Sequence, residues 1–188
     1  MNYQIDQSGK IEQTNKDTVI AYSNSTKRAV LIPRKLKRLV QEVFRLHGFT
    51  RLFIYYLFSV GIYYLLKDLK KESEVIIDTE YPGREKLIGG LVNSLLEKNF
   101  KAAHNISFAR IGNTPPAHYA DKDVFDKKKK PDQTLTLEDI IKAIKKTDGR
   151  LKECLSTLVD VQTRSMVKRY HKRVKKSSGK SKKIKTTK

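Results

Sequence analysis

The chain has 188 residues, 40 Lys+Arg against 20 Asp+Glu, a formal net charge of +20, 38% hydrophobic residues and a single cysteine. That length supports one well-buried core, and the charge excess favours a polyanionic partner, either nucleic acid or an anionic membrane surface. One cysteine excludes an internal disulfide and any cysteine-based zinc cluster; Cys154 reads as a small apolar residue on a helix face.

In chain order, residues 2–11 read as a strand in which Tyr3 and Ile5 alternate, with Gln7-Ser8-Gly9 as turn or bulge chemistry. Residues 17–23 are a β-branched run, and residues 28–32 form a third strand ended by Pro33. Three consecutive strands with short turns predict an antiparallel meander. From Leu36 the apolar residues Leu39, Val40, Val43, Phe44 and Leu46 follow a helical period until His47-Gly48. Thr50 stands where it can cap a second helix, from Arg51 to about Lys71. Residues 52–66 of that helix are apolar and aromatic all round, which reads as a buried central helix. The stretch falls short of the ~20 residues needed to span a bilayer, which leaves an interfacial membrane helix, or a dimer seam, as the alternatives. Residues 74–78 read as a strand covered on both faces. A helix follows from Arg84 to about Lys98, then a strand over 105–111 and a short helix over 117–125.

Residues 127–135, opening with four consecutive lysines, read as a basic linker. Thr136 followed by Asp139 places an acid at the capping-box position of a further helix, and residues 150–169 read as another. From Lys168 onward no acid occurs, and residues 170–188 read as a disordered basic tail. The expected division is a domain over 1–126, the linker, a helical extension over 136–169, and the tail. The N-terminal Met1-Asn2-Tyr3-Gln4 lacks the charged-then-apolar pattern of a secretion signal, so a cytoplasmic location is expected.

Candidate chemistry sits in three stretches: Asp6-Gln7-Ser8-Gly9 after the first strand, Asp78-Thr79-Glu80-Tyr81 after the fourth, and His118-Tyr119-Ala120-Asp121 in the short helix. A carboxylate at the end of a buried strand is costly to desolvate unless a positive charge compensates it. On so basic a chain, this pattern points to a divalent-cation site inside a polyanion-binding protein. Each acid also has a plainer role open to it. Asp6 can be a turn residue, Asp78 and Glu80 can serve the N-terminus of the next helix, Asp121 and Asp123 can be surface charges, and His118 can be structural.

The order of three strands, helix, strand, helix, strand, helix resembles the ribonuclease H-like superfamily, which includes ribonucleases H and Holliday-junction resolvases. The likeness covers about residues 1–125 and is carried by Asp6 with its Gly-containing turn, by Asp78-Thr79-Glu80-Tyr81, and by Gly112 followed by Ala120-Asp121. It implies an α/β fold with a mixed five-stranded sheet, three antiparallel strands followed by two parallel ones, with flanking helices and here a C-terminal helical extension. It also implies a nuclease that hydrolyses phosphodiesters in an RNA–DNA hybrid or a DNA junction with two Mg²⁺ or Mn²⁺ ions. Asp6, Asp78 and Asp121 would bind metal, with Glu42, Glu80 or Asp123 as a fourth acid, and His118 would move a proton or contact phosphate. Glu42 lies later in its helix than the family's usual Glu.

The basic segments fit a nucleic-acid backbone: Arg34, Lys35, Lys37 and Arg38; Lys127, Lys128, Lys129 and Lys130; and Lys168, Arg169, Lys172 and Arg173. No sequence-reading motif is visible, so shape or backbone recognition is expected. A non-catalytic nucleic-acid binder of the same fold is the competing expectation, and a membrane-surface protein using residues 52–66 is the next.

Overall fold

Alternation along the first strand divides the molecule into two unequal halves. The computed structural model describes residues 2–24, 26–69, 73–100, 104–112, 122–144, 154 and 156–161. In it, β1 (Asn2–Ser8) turns Tyr3 and Ile5 toward the main core, and Gln4, Asp6 and Ser8 toward the opposite face. β2 (Thr18–Ser23) and β3 (Lys27–Ile32) continue the meander as successive antiparallel partners. β4 (Glu74–Asp78) runs parallel to β1 on its other side, and β5 (Asn105–Ala109) runs parallel to β4.

Among the described residues the sheet has six strands rather than five, in the order β5-β4-β1-β2-β3-β6. The sixth, β6 (Gln133–Thr134), lies inside the stretch expected to be a linker and pairs in parallel with Val30 and Leu31 of β3. Its polar, proline-preceded sequence carries no strand signal. Tertiary contacts hold it instead: Asp132 accepts the Ala29 N–H at 2.7 Å through its carboxylate, and its own N–H donates to the Ala29 carbonyl.

Three helices cover one face of the sheet. These are α1 (Arg34–Leu46), α2 (Leu52–Leu66) and α3 (Glu85–Phe100). α2 is the central one, buried at Phe53 and from Tyr56 through Leu66 against this chain's own sheet and helices. Gly61 lets it approach the sheet closely, because a Cβ there would meet Ile20 Cδ1 at 2.5 Å. The aromatic segment is therefore a core element of the single chain. Among the described residues, no helix is long and apolar enough to cross a membrane.

A fourth helix, α4 (Leu137–Ile144), opens with the expected capping box. The Asp139 N–H donates to Thr136 Oγ1, and the Asp139 carboxylate accepts the Thr136 N–H at 2.8 Å. Ile140, Ile141 and Ala143 of α4, with Cys154 and Leu158 beyond it, join the same core as β1 and α2. The described part of the C-terminal extension thus shares the main core. Residues 162–188, including Lys168, Arg169, Lys172 and Arg173, lie outside the described residues, and so do Asp121 and His118.

The second face of the sheet carries a smaller apolar cluster, Val19, Ala21 and Ala29 against Val124, with Leu31 and Phe125 at its margin. Helical residues 122–125 lie on it. Gly9, at φ +74°, leaves room there, since a Cβ would stand 2.6 Å from both the Phe125 ring and the Asp17 carbonyl.

One basic residue of the surface set is internal. Lys37 has no exposed surface, and its ammonium donates to the Lys10 carbonyl at 3.0 Å, the Gln13 carbonyl at 2.9 Å and Thr18 Oγ1 at 2.7 Å. Three donors meet three acceptors, so the β1–β2 hairpin closes around it and phosphate has no access. Burial draws its pKa down to about 8 against the upward pull of Asp17 and Glu12, so it is largely charged at neutral pH. Lys37→Met keeps the stem and leaves three acceptors without this donor. The substitution is expected to cost about 2–4 kcal/mol, read as a lower urea midpoint with an unchanged m-value.

Candidate metal centre

Asp6 and Asp78 are neighbours because of strand register. Ile5 pairs with Ile77 in the parallel β1–β4 ladder, and each acid follows by one residue, so both lie at the same level. They share the face of their paired neighbours Gln4 and Ile76, and adjacent strands stand only ~4.8 Å apart. Glu80 follows Asp78 by two residues. Carboxylate oxygens of Asp6, Asp78 and Glu80 all lie within 4.8 Å of one another.

Backbone donors set the two aspartates. Asp6 Oδ1 accepts the Gln7 N–H at 2.7 Å, and Asp78 Oδ1 accepts the Ile111 N–H at 2.9 Å. Thr79 continues β4 one step further by donating its N–H to the Ala109 carbonyl. Glu80 is located by the residue after it. The Tyr81 ring packs edge-on against Tyr55 and Phe58 of α2, with centroids 5.7 and 5.3 Å away. Its hydroxyl accepts from Gln7 Nε2 at 3.3 Å and donates to Glu12 Oε2 at 3.2 Å. The loop after β4 is thereby tied to the β1–β2 hairpin, and Glu80 is held beside Asp6.

The cluster is short of positive charge. Desolvation pushes the Glu80 carboxyl up to about 7; repulsion from Asp6 and Asp78, and more weakly from Glu12, adds to this, and Lys10 alone opposes it. Three hard oxygen donors around one point suit Mg²⁺, Mn²⁺ or Ca²⁺. Oxygens on one Mg²⁺ stand ~3 Å apart when adjacent and ~4.2 Å when opposite, given bonds of ~2.1 Å. A small contraction of the triad would meet that geometry, so Asp6, Asp78 and Glu80 could hold a divalent ion.

The other candidate acids stand elsewhere. Glu42 is exposed on α1 and pairs with Arg45 at 2.7 Å, so it is not part of the cluster. Asp123, in the 122–125 segment, is 3.3 Å from Lys129 and is not part of it either. Glu80, which the sequence offered only as one of three choices for a fourth acid, belongs to the central triad. Strand alternation does not place it: β4 ends at Asp78, and a tight turn in which the Glu80 N–H donates to the Asp78 carbonyl at 2.8 Å brings Glu80 back beside it.

Of the basic residues, Arg34 and Lys35 are exposed at the start of α1. Arg38 is exposed too, with its Nε bonded to the Thr14 carbonyl. Comparison with protein-family models, with curated proteins and with solved structures found no match to this chain.

Glu80 fixes a pH dependence. Its folded pKa lies near 7 and its ordinary value near 4.5, so the folded state holds the extra proton between those limits. The stability this proton confers is complete below ~4.5 and is lost as pH rises through ~7. In EDTA at pH 8, Glu80→Gln is expected to be more stable than the wild type by about 2–3 kcal/mol, the two converging near pH 5. Added MgCl₂ or MnCl₂ should raise the wild-type melting temperature, more strongly at pH 8 than at pH 6, because binding then displaces no proton. Melting curves across pH, with and without metal, check both outcomes.

Proposed function

We propose that this chain is a divalent-metal-dependent nuclease of ribonuclease H-like fold, acting on phosphodiesters in structured nucleic acid. The observation that carries the reading is the convergence of Asp6 and Asp78, from adjacent parallel strands, with Glu80 into one carboxylate cluster. The sheet supports it: β1 lies between an antiparallel β2 and a parallel β4, the arrangement the sequence resemblance implies for the first four strands. The net charge of +20 supports a polyanionic substrate.

On this reading Asp6 and Asp78 are the fixed ligands, each already oriented by a backbone N–H. Glu80 would be the adjustable one, holding a cation in its ionised form. A bound cation would supply charge neutralisation at a phosphoryl oxygen and a more acidic water. A two-ion mechanism needs a further acid, and Asp121, with His118 three residues before it, is the proposed source. Exposed Arg34 and Lys35 would contact the phosphate backbone. Either an RNA–DNA hybrid or a DNA junction fits a site that reads no bases.

The test is a panel of end-labelled hybrids, duplexes and four-way junctions, incubated with Mg²⁺, with Mn²⁺ or with EDTA. Cleavage of at least one substrate only with metal is expected, reduced about 10²-fold or more in Asp78→Asn and in Asp6→Asn while both variants stay folded. Binding without metal-dependent cleavage of any substrate would favour a non-catalytic nucleic-acid binder, and unchanged cleavage in Asp78→Asn would reject that residue as a ligand.

A further inference from the structure

A second built feature lies on the same face of the sheet as the acids. Beyond residues 122–125 the chain turns through a helix-ending motif in which the Lys127 N–H donates to the Val124 carbonyl and the Lys128 N–H to the Asp123 carbonyl. The left-handed position of that motif usually holds Gly, yet here it is Lys127, at φ 61°. The loop is pinned again a few residues on, by Asp132 on Ala29 and by β6 on β3. Lys127, Lys128, Lys129 and Lys130 are therefore held between two anchored ends.

These lysines line a groove of about 420 Å³ together with the apolar Leu31, Val124, Phe125 and Pro131 and with one acid, Asp17, whose carboxylate accepts the Arg34 N–H. It adjoins a smaller groove of about 170 Å³, which shares Lys129 and Lys130 and adds Lys27, Asp132 and Arg28, the last paired with Asp68 at 2.6 Å. Lys128 and Lys129 have acidic partners, at 3.8 Å to Asp126 and 3.3 Å to Asp123. Lys127 and Lys130 make no ion pair among the described residues. Asp6 stands opposite Ala21 in the register, and Ala21 stands opposite Ala29, which borders the smaller groove. Two strand spacings, ~10 Å, thus separate the acid cluster from the near end of this basic surface.

An anion with a flat apolar part fits such a site better than a simple phosphate does. A fully paired duplex offers phosphates and hides its base faces. We infer that the groove takes an unpaired nucleotide of the substrate strand, with the base beside Phe125 and the phosphates against Lys127 and Lys130. The inference rests on the reading of the chain as a nucleic-acid enzyme, and it narrows the substrate class to structures with an unpaired segment next to the cleaved bond.

Full-length protein in EDTA allows binding to be read without cleavage. The probes are a labelled blunt DNA duplex and the same duplex with a short single-stranded overhang, followed by fluorescence anisotropy. The overhang is expected to tighten binding about tenfold. Lys127→Gly combined with Lys130→Ser should abolish that preference, the two probes then binding within about threefold of each other. Glycine suits the backbone at 127, so this variant keeps the turn. Phe125→Leu should weaken the preference in the same direction.

Equal affinity of the wild type for both probes would overturn the inference. A parallel loss on both probes in the lysine variant would overturn it too, since that is non-specific attraction. Capture of phosphatidylserine vesicles, lost in the lysine variant and with no overhang preference, would assign the groove to a lipid headgroup and likewise overturn it. An overhang preference without metal-dependent cleavage leaves this subsite standing and removes the nuclease reading; cleavage without the preference does the reverse.

Discussion

Two carboxylates at the same level of adjacent parallel strands cannot escape each other. The β1–β4 ladder fixes Asp6 and Asp78 one strand spacing apart and on the same face. A slip of one residue in that pairing would turn Asp78 into the apolar core and bring Ile77 out. The register is therefore enforced by burial of Val75 and Ile77, both without exposed surface, rather than by the acids, which repel each other. Core packing supplies the work that brings like charges together. Glu80, desolvated by burial and then repelled by that pair, has a raised proton affinity.

The remaining architecture around the cluster holds loops that strand pairing alone would leave loose. The hairpin between β1 and β2 is clamped from within by the Lys37 ammonium and from outside by Arg38 on the Thr14 carbonyl. The loop after β4 is fastened to that hairpin by the Tyr81 hydroxyl, while the Tyr81 ring rests on Tyr55 and Phe58. The aromatic central helix thus does more than fill the core. It supports Tyr81, whose hydroxyl ties the loop carrying Glu80 to the β1–β2 hairpin.

The periodic parts of this fold were legible in the sequence, and the exceptions have physical reasons. Alternation and β-branched runs located the first five strands, and the Thr136/Asp139 spacing located the cap of α4. β6 was not legible, because a two-residue edge strand is specified by Asp132 gripping Ala29 and has no pattern of its own. Lys37 was misplaced on the surface because it sits in a run of basic residues. The corrective signal was its position in step with Val40 and Phe44, on the buried stripe of α1. The Asp6–Asp78 pair followed from strand order, whereas Glu42 did not, since its place in α1 leaves it in solvent beside Arg45.

The same electrostatics constrain how a polyanion could use this site. The overall charge of +20 draws phosphates toward the protein at long range. At contact the sign reverses. A phosphate oxygen brought to ~4 Å from a single carboxylate meets a repulsion of about 4 kcal/mol at an effective dielectric of 20. Asp6 and Asp78 together would oppose it more strongly, and Glu80 adds to this once it is ionised. The basic surface along β3 and residues 127–130 lies far enough off to escape that reversal. On the proposed reading, substrate settles first on the lysine side of the face, and the cleavable phosphate reaches the acids only together with a cation. A division into an attractive side and a side that must be neutralised explains why so basic a protein would keep its acids clustered.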